Sequence, residues 1–133
     1  EAGIMVVAVG GGGIPVIETE DGGLTGTAAV IDKDLATSLL ASNLKADFLV
    51  ISTAVARVSL NFKKPDQKDL DRVKLSEIKK YLAEGHFAPG SMKPKIEAVI
   101  EFLEGGGKEA LITDPAHLVD AFEGRNGTWI VAD

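Results

Sequence analysis

Apolar positions change period several times along the chain, and each change marks an element. Residues 4–9 (IMVVAV) are continuously apolar and rich in β-branched side chains, and four glycines end the run; this predicts a strand buried on both faces. Asp32 precedes a segment in which Leu35, Leu39 and Leu40 form one helical stripe that Leu44 extends, so Asp32 is read as the helix N-cap. Residues 48–51 predict the next buried strand, and a loop follows at 52–57. Residues 58–62 alternate as a half-exposed strand does, and Pro65-Asp66 turns the chain. Leu75-Ser76 opens a short polar helix that Gly85 stops. Ser91 opens a longer one, in which Ile96, Val99, Ile100 and Leu103 recur at i, i+3, i+4 and i+7 before Gly105-Gly106-Gly107. Residues 109–113 read as a strand, Asp114-Pro115 as the cap and first-position proline of a helix over 116–122, and 128–132 as a closing strand.

Strands and helices largely alternate. The expected fold is therefore α/β, with a mainly parallel sheet covered on both faces, and residues 1–133 are expected to form one unit without repeats or low-complexity linkers. That length suits one domain or one lobe of a larger enzyme. Because the chain opens almost directly on a strand-like segment, it is expected to begin at a domain boundary within a longer protein.

Composition narrows the function. Hydrophobic residues are 45% and charged residues 26% of the chain, the profile of a globular protein rather than a disordered one. No apolar run reaches the ~18 residues of a bilayer crossing, so no membrane span is expected. The net charge of −6 disfavours nucleic acid as a partner. There is no cysteine for a disulfide or a thiolate, and the first residues lack the basic start and cleavage site of a secretory signal, so a cytoplasmic location is expected. Residues 1–32 hold no lysine or arginine, whereas seven of the fourteen lie within 63–80; Asp66, Asp69, Asp71 and Glu77 are mixed among them, which reads as a solvated surface.

Three places carry candidate chemistry. The glycines at 10–13 follow a strand-like run and can bring backbone N–H groups close to an anion, although they match neither the dinucleotide fingerprint nor a Walker loop. A lone glycine run is more often a tight turn than a ligand cradle, although a place at the carboxyl end of a strand favours a ligand. In Asp32-Lys33-Asp34, Asp32 suits the cap and Asp34 the helix dipole, but a cation at a helix N-terminus opposes that dipole. Either Lys33 is an ordinary surface lysine or an anion such as a phosphoryl group offsets it. In "GHFAPGSMKPK" at 85–95, Ser91 starts a helix whose first-turn N–H groups lie near Lys93 and Lys95, again suited to an anion or, alternatively, to solvent. His86 and His117 have no partners at metal-ligand spacing, no metal site is expected, and Ser52, Ser59 and Ser91 lack a nucleophile-elbow context. Asn126-Gly127-Thr128 is read as a turn and Trp129 as a core residue. A dinucleotide-binding oxidoreductase would rest on the strand and glycines alone.

The segments "GGGGIPVI", "AVIDKDLA", "LNFKKPDQKDLD" and "YLAEGHFAPGSMKPKIEA" closely resemble the carboxyl-terminal half of carbamate kinase, of the amino acid kinase superfamily, over nearly the whole chain. The resemblance implies a three-layer αβα sandwich, with the amino-terminal lobe absent from these residues. It implies a homodimer and reversible phosphoryl transfer between carbamoyl phosphate, or a related acyl phosphate, and ADP. The products are ATP and carbamate, with Mg2+ as cofactor, in fermentative arginine catabolism. On this likeness Lys33 and Lys95 clamp the transferred phosphoryl group and Asp34 positions their ammonium groups. Gly11, Gly12, Thr53, Phe87, Pro89, Gly90, Ser91, Met92 and Lys95 are the implied nucleotide-binding set. The chain departs from the family where "TDVD", then valine and tyrosine, is usual: "TAVARVS" puts Ala54, Ala56 and Ser59 there. That leaves a second expectation, a non-catalytic nucleotide-binding or assembly module of the same fold.

Overall fold

The computed structural model describes residues 3–133. Two short antiparallel strands, β1 (Val16–Glu18) and β2 (Leu24–Gly26), precede helix α1 (Lys33–Asn43) and strand β3 (Phe48–Ser52). A small hairpin of β4 (Ser59–Leu60) and β5 (Lys68–Asp69) leads to β6 (Arg72–Lys74) and helices α2 (Leu75–Ala83) and α3 (Met92–Glu104). Strand β7 (Glu109–Thr113), a 3₁₀ turn at Pro115–His117, helix α4 (Leu118–Phe122) and strand β8 (Thr128–Val131) complete the chain.

The main sheet has the order β3-β7-β8-β6, with β3–β7 and β6–β8 parallel and β7–β8 antiparallel. Its inward residues alternate as a pleat requires. Leu49 and Ile51 of β3, Ala110 and Ile112 of β7, Ile130 of β8 and Val73 of β6 meet Ile78 of α2 and Ile96, Val99, Ile100 and Phe102 of α3 in one core. On the other face Leu111 of β7 and Ala121 of α4 are buried, giving the helix–sheet–helix layering that the sequence predicts. Asp114 caps the 3₁₀ turn by accepting from His117 N–H at 2.8 Å.

Five sequence expectations need correction. Residues 4–9 form no strand; residues 4–8 are exposed and Val9 is half-buried, because no other strand among the described residues pairs with them and an unpaired ladder has nothing to bury against. In α1 the predicted stripe is largely outside: Leu39 and Leu44 are exposed, while Asp34 and Ser38 are buried and Leu35 and Ala41 meet the core. Residues 58–62 shrink to the two-residue strand Ser59–Leu60, whose residues are both buried together with Val58 just before it, and α2 starts one residue ahead of Ser76, with Glu77 accepting from Lys74 N–H at 3.1 Å. Trp129 lies outside the main core cluster; it stacks on Phe48 at 5.3 Å on the opposite sheet face and donates to the Ala121 carbonyl. Strands β1, β2, β5 and β6 are additions to the sequence reading.

Candidate functional site

The local chemistry of the α1 start decides where its charges point. Asp32 Oδ1 accepts from the N–H groups of Asp34 (2.8 Å) and Leu35 (3.1 Å), which closes the first turn without using Asp34's side chain. That side chain is turned toward α3, which packs along α1. There its Oδ2 accepts from Lys95 Nζ at 2.9 Å and from Lys33 Nζ at 3.4 Å. Asp34 and Lys95 are largely buried, at 10% and 14% side-chain exposure, whereas Lys33 is 57% exposed. A carboxylate so desolvated requires a partner. With two ammonium groups on one carboxylate oxygen, the cluster keeps one positive charge in excess, which suits it to an anion.

Lys95 also lines a cavity of about 260 Å³. One wall is the loop after β3, with Thr53, Ala54, Val55 and Arg57. A second is the β4–β5 hairpin, with Ser59 and Phe62. The third is the α2–α3 connection and the start of α3, with His86, Phe87, Ala88, Ser91, Met92 and Lys95. Thr53 N–H donates to the Thr113 carbonyl at 2.8 Å, so the cavity sits at the carboxyl ends of the parallel pair β3 and β7, where open α/β sheets hold ligands. Aromatic and aliphatic side chains beside a cluster of cations suit a ligand with a planar apolar part and an anionic part.

Of the residues singled out in the sequence, Thr53, Phe87, Ser91, Met92 and Lys95 line this cavity, and Lys33 and Asp34 join it through Lys95. Pro89 and Gly90 form the turn beneath Ser91 without lining it. Gly11 and Gly12 lie apart from the cavity; Gly12 belongs to a tight turn, Gly12 N–H donating to the Val9 carbonyl, and any Cβ on it would stand 2.4 Å from the Ile31 carbonyl oxygen. Within the glycine run, Gly12 is thus the position packed closely against Ile31, the residue before the Asp32 cap. Lys93 points away and pairs with Glu97 at 3.7 Å. Its N–H donates to the Ala88 carbonyl and Pro94 has none, so fewer N–H groups are open at the start of α3 than its sequence suggests.

Arg57, Phe62 and His86 were not among the sequence candidates. Arg57 donates to Asn126 Oδ1 and the Arg125 carbonyl and pairs with Asp71 at 2.6 Å, fastening the loop wall to the turn before β8. The asparagine of the N-G turn was the available signal, without any hint of its partner. Ser59 donates to Asp69 Oδ1 at 2.6 Å across the hairpin, and Gln67 donates to the same oxygen. Those two hydrogen bonds, Ser59's the larger, hold the Asp69 carboxyl below its ordinary value of 3.8 despite some desolvation. Among the described residues that line the cavity there is no carboxylate, and no group of acidic, histidine or cysteine side chains could hold a metal ion.

Three comparisons bear on this arrangement. A sequence profile described as the amino acid kinase family matches residues 1–114. The chain is 51% identical over 131 residues to the carbamate kinase-like protein YahI of Escherichia coli (strain K12), covering 98% of this chain and 42% of that protein. It is 56% identical over 129 residues to the carbamate kinase of Thermoplasma volcanium, covering 97% and 42%. A solved structure of carbamate kinase from Giardia lamblia bound to AMP-PNP superposes with a TM-score of 0.87 at 50% identity, over 92% of this chain and 39% of that one. The chain therefore spans about two fifths of the length of these relatives.

Proposed function

The chain belongs to the amino acid kinase family, and from that premise we propose that it is the nucleotide-binding lobe of a carbamate kinase-like phosphotransferase. In the intact protein the reaction is ADP plus carbamoyl phosphate, giving ATP and carbamate. The observation that carries this reading is the Asp34 carboxylate shared by Lys33 and Lys95 at the edge of an apolar cavity. A terminal oxygen of ADP attacks phosphorus, the bond from phosphorus to the carbamoyl oxygen breaks, and carbamate departs with that electron pair. Negative charge on the transferred group is met by the two ammonium groups. Asp34 fixes Lys95 Nζ and lowers the cost of placing a second cation beside it. Positioning and preorganised charge supply most of the acceleration in such a transfer.

The apolar walls, with Phe62, Phe87 and Met92, take the nucleoside part, and a nucleotide complex of the Giardia relative supports that assignment. Magnesium finds no free carboxylate among the described cavity residues, and Asp34 is engaged by lysines, so no step is assigned to a metal held by this chain. The acyl phosphate site, the second lobe, a homodimer and a cytoplasmic role in arginine catabolism belong to the same proposal for the intact protein. The lobe alone is inactive. Coupled ATP synthesis tests both parts: the intact protein should turn over carbamoyl phosphate and this stretch alone should not.

A second reading, a non-catalytic nucleotide-binding or assembly module, is favoured by one observation. Ser59 and Ala54 line the cavity, and neither can stack on a base or accept from a ribose hydroxyl as a carboxylate does. Nucleotide binding without phosphoryl transfer by the intact protein would establish it.

A further inference from the structure

Two of the three cavity walls belong to short segments outside the main sheet, a hairpin with two-residue strands and the connection between two helices. The hairpin carries Ser59 and Phe62; the connection carries His86, Phe87 and, at its end, Met92. Among the described residues one hydrogen bond joins these two walls, His86 Nδ1 to Asn61 Oδ1 at 3.0 Å. Both ends of it are held in place. Asn61 Nδ2 donates to Asp66 Oδ2 at 2.6 Å, which orients the amide so that its oxygen faces the histidine. Asn61 also sits in the left-handed region, at φ +50°, a conformation that asparagine tolerates better than most residues. On the other side His86 Nε2 lies 3.2 Å from Glu84 Oε2, His86 N–H donates to the Tyr81 carbonyl, and the Tyr81 ring meets the imidazole edge-on at 5.8 Å. The imidazole is largely buried, at 21% exposure.

We propose that His86 is a positioning residue for the ligand of this cavity: through Asn61 it latches the hairpin wall to the helix-connection wall and sets the gap that receives the nucleoside. The inference rests on the nucleotide reading given above for the identity of the ligand, and on the hydrogen-bond chain alone for the latch. A latch acts on binding and leaves the chemistry at Lys33 and Lys95 unchanged. Its loss therefore raises the ADP concentration needed for half-saturation and spares turnover at saturation.

The test uses the intact protein and four forms of position 86. His86→Leu should raise Kd and KM for ADP about fivefold, the effect of one lost hydrogen bond, with kcat and the KM for carbamoyl phosphate near native. His86→Asn places an amide nitrogen where Nδ1 stands and should recover most of the affinity; His86→Gln, whose nitrogen stands nearer Nε2, should recover little. A His86→Leu variant with native KM, or one that loses kcat instead, overturns the proposal, as does equal rescue by Gln and Asn. Amide hydrogen exchange separates this failure from failure of the nucleotide reading. Without any nucleotide, the amides of residues 59–67 should exchange faster in His86→Leu than in the native protein. Unchanged exchange removes the latch even if ADP binds; faster exchange together with no ADP binding at any concentration leaves the latch and removes the nucleotide.

Discussion

Lys33 and Lys95 are one and sixty-one residues from Asp34 in opposite directions, in exposed and buried settings respectively, yet they share one oxygen atom. Lys33→Ala or Lys95→Ala in the intact protein should each lower kcat by about 100- to 1,000-fold, the usual effect of removing one preorganised charge from a transition state, with the circular dichroism spectrum unchanged. A rate within a few-fold of native would remove the clamp assignment. The Lys33 position was legible because a cation opposing a helix dipole stands out in sequence. Lys95 was legible through the resemblance and through its place at a helix start, but its pairing with Asp34 depends on α1 lying along α3, which no local pattern states. His86 was missed because its partners, Asn61 and Glu84, give no spacing that sequence reasoning associates with a site. The Ser59–Asp69 pair was missed because β5 was not foreseen.

At the scale of elements, long periodic segments were readable and short charged ones were not. Helix α3 kept its predicted apolar face because one side of it covers the sheet. Helix α1 did not, because its inward face meets another helix closely: a Cβ added at Gly105 would stand 2.9 Å from Ser42 Oγ, and Ser38 is buried, so small residues hold the inner positions and Leu39 is left outside. Strands β5 and β6 hide inside a run of lysines and aspartates, where Val73 is the buried side chain of its strand and gives no alternation to detect. The turn between α3 and β7 supplies a test at this scale. A Cβ at Gly107 would lie 2.3 to 2.6 Å from the ring of Phe102, which is fully buried, so Gly107→Ala forces the ring or the turn to move. Thermal or denaturant unfolding should show a loss of about 1–3 kcal/mol. A native midpoint would mean that the turn relaxes freely.

Across the whole molecule, the sheet, its two helical layers and the placement of the cavity follow from strand and helix alternation, with one antiparallel pairing that alternation alone does not foresee. The misreading of residues 4–9 has the same physical origin as a prediction. Ile4, Met5, Val6, Val7, Ile14 and Val30 are exposed by 75–98%, and β3 ends the sheet with one neighbour. Such surfaces associate in water. The 133-residue chain by itself should sediment as concentration-dependent oligomers, and replacing Val6 and Val7 with lysine should shift it toward the monomer. A strictly monomeric native chain at micromolar concentration would contradict this. The shared carboxylate oxygen of Asp34 has a historical consequence as well. A lineage drifting away from catalysis can discard either lysine and keep a neutral pair, whereas discarding the aspartate first strands two like charges side by side. Descendants that have lost the reaction should therefore be found with the acid still in place and an amine missing, and seldom the reverse.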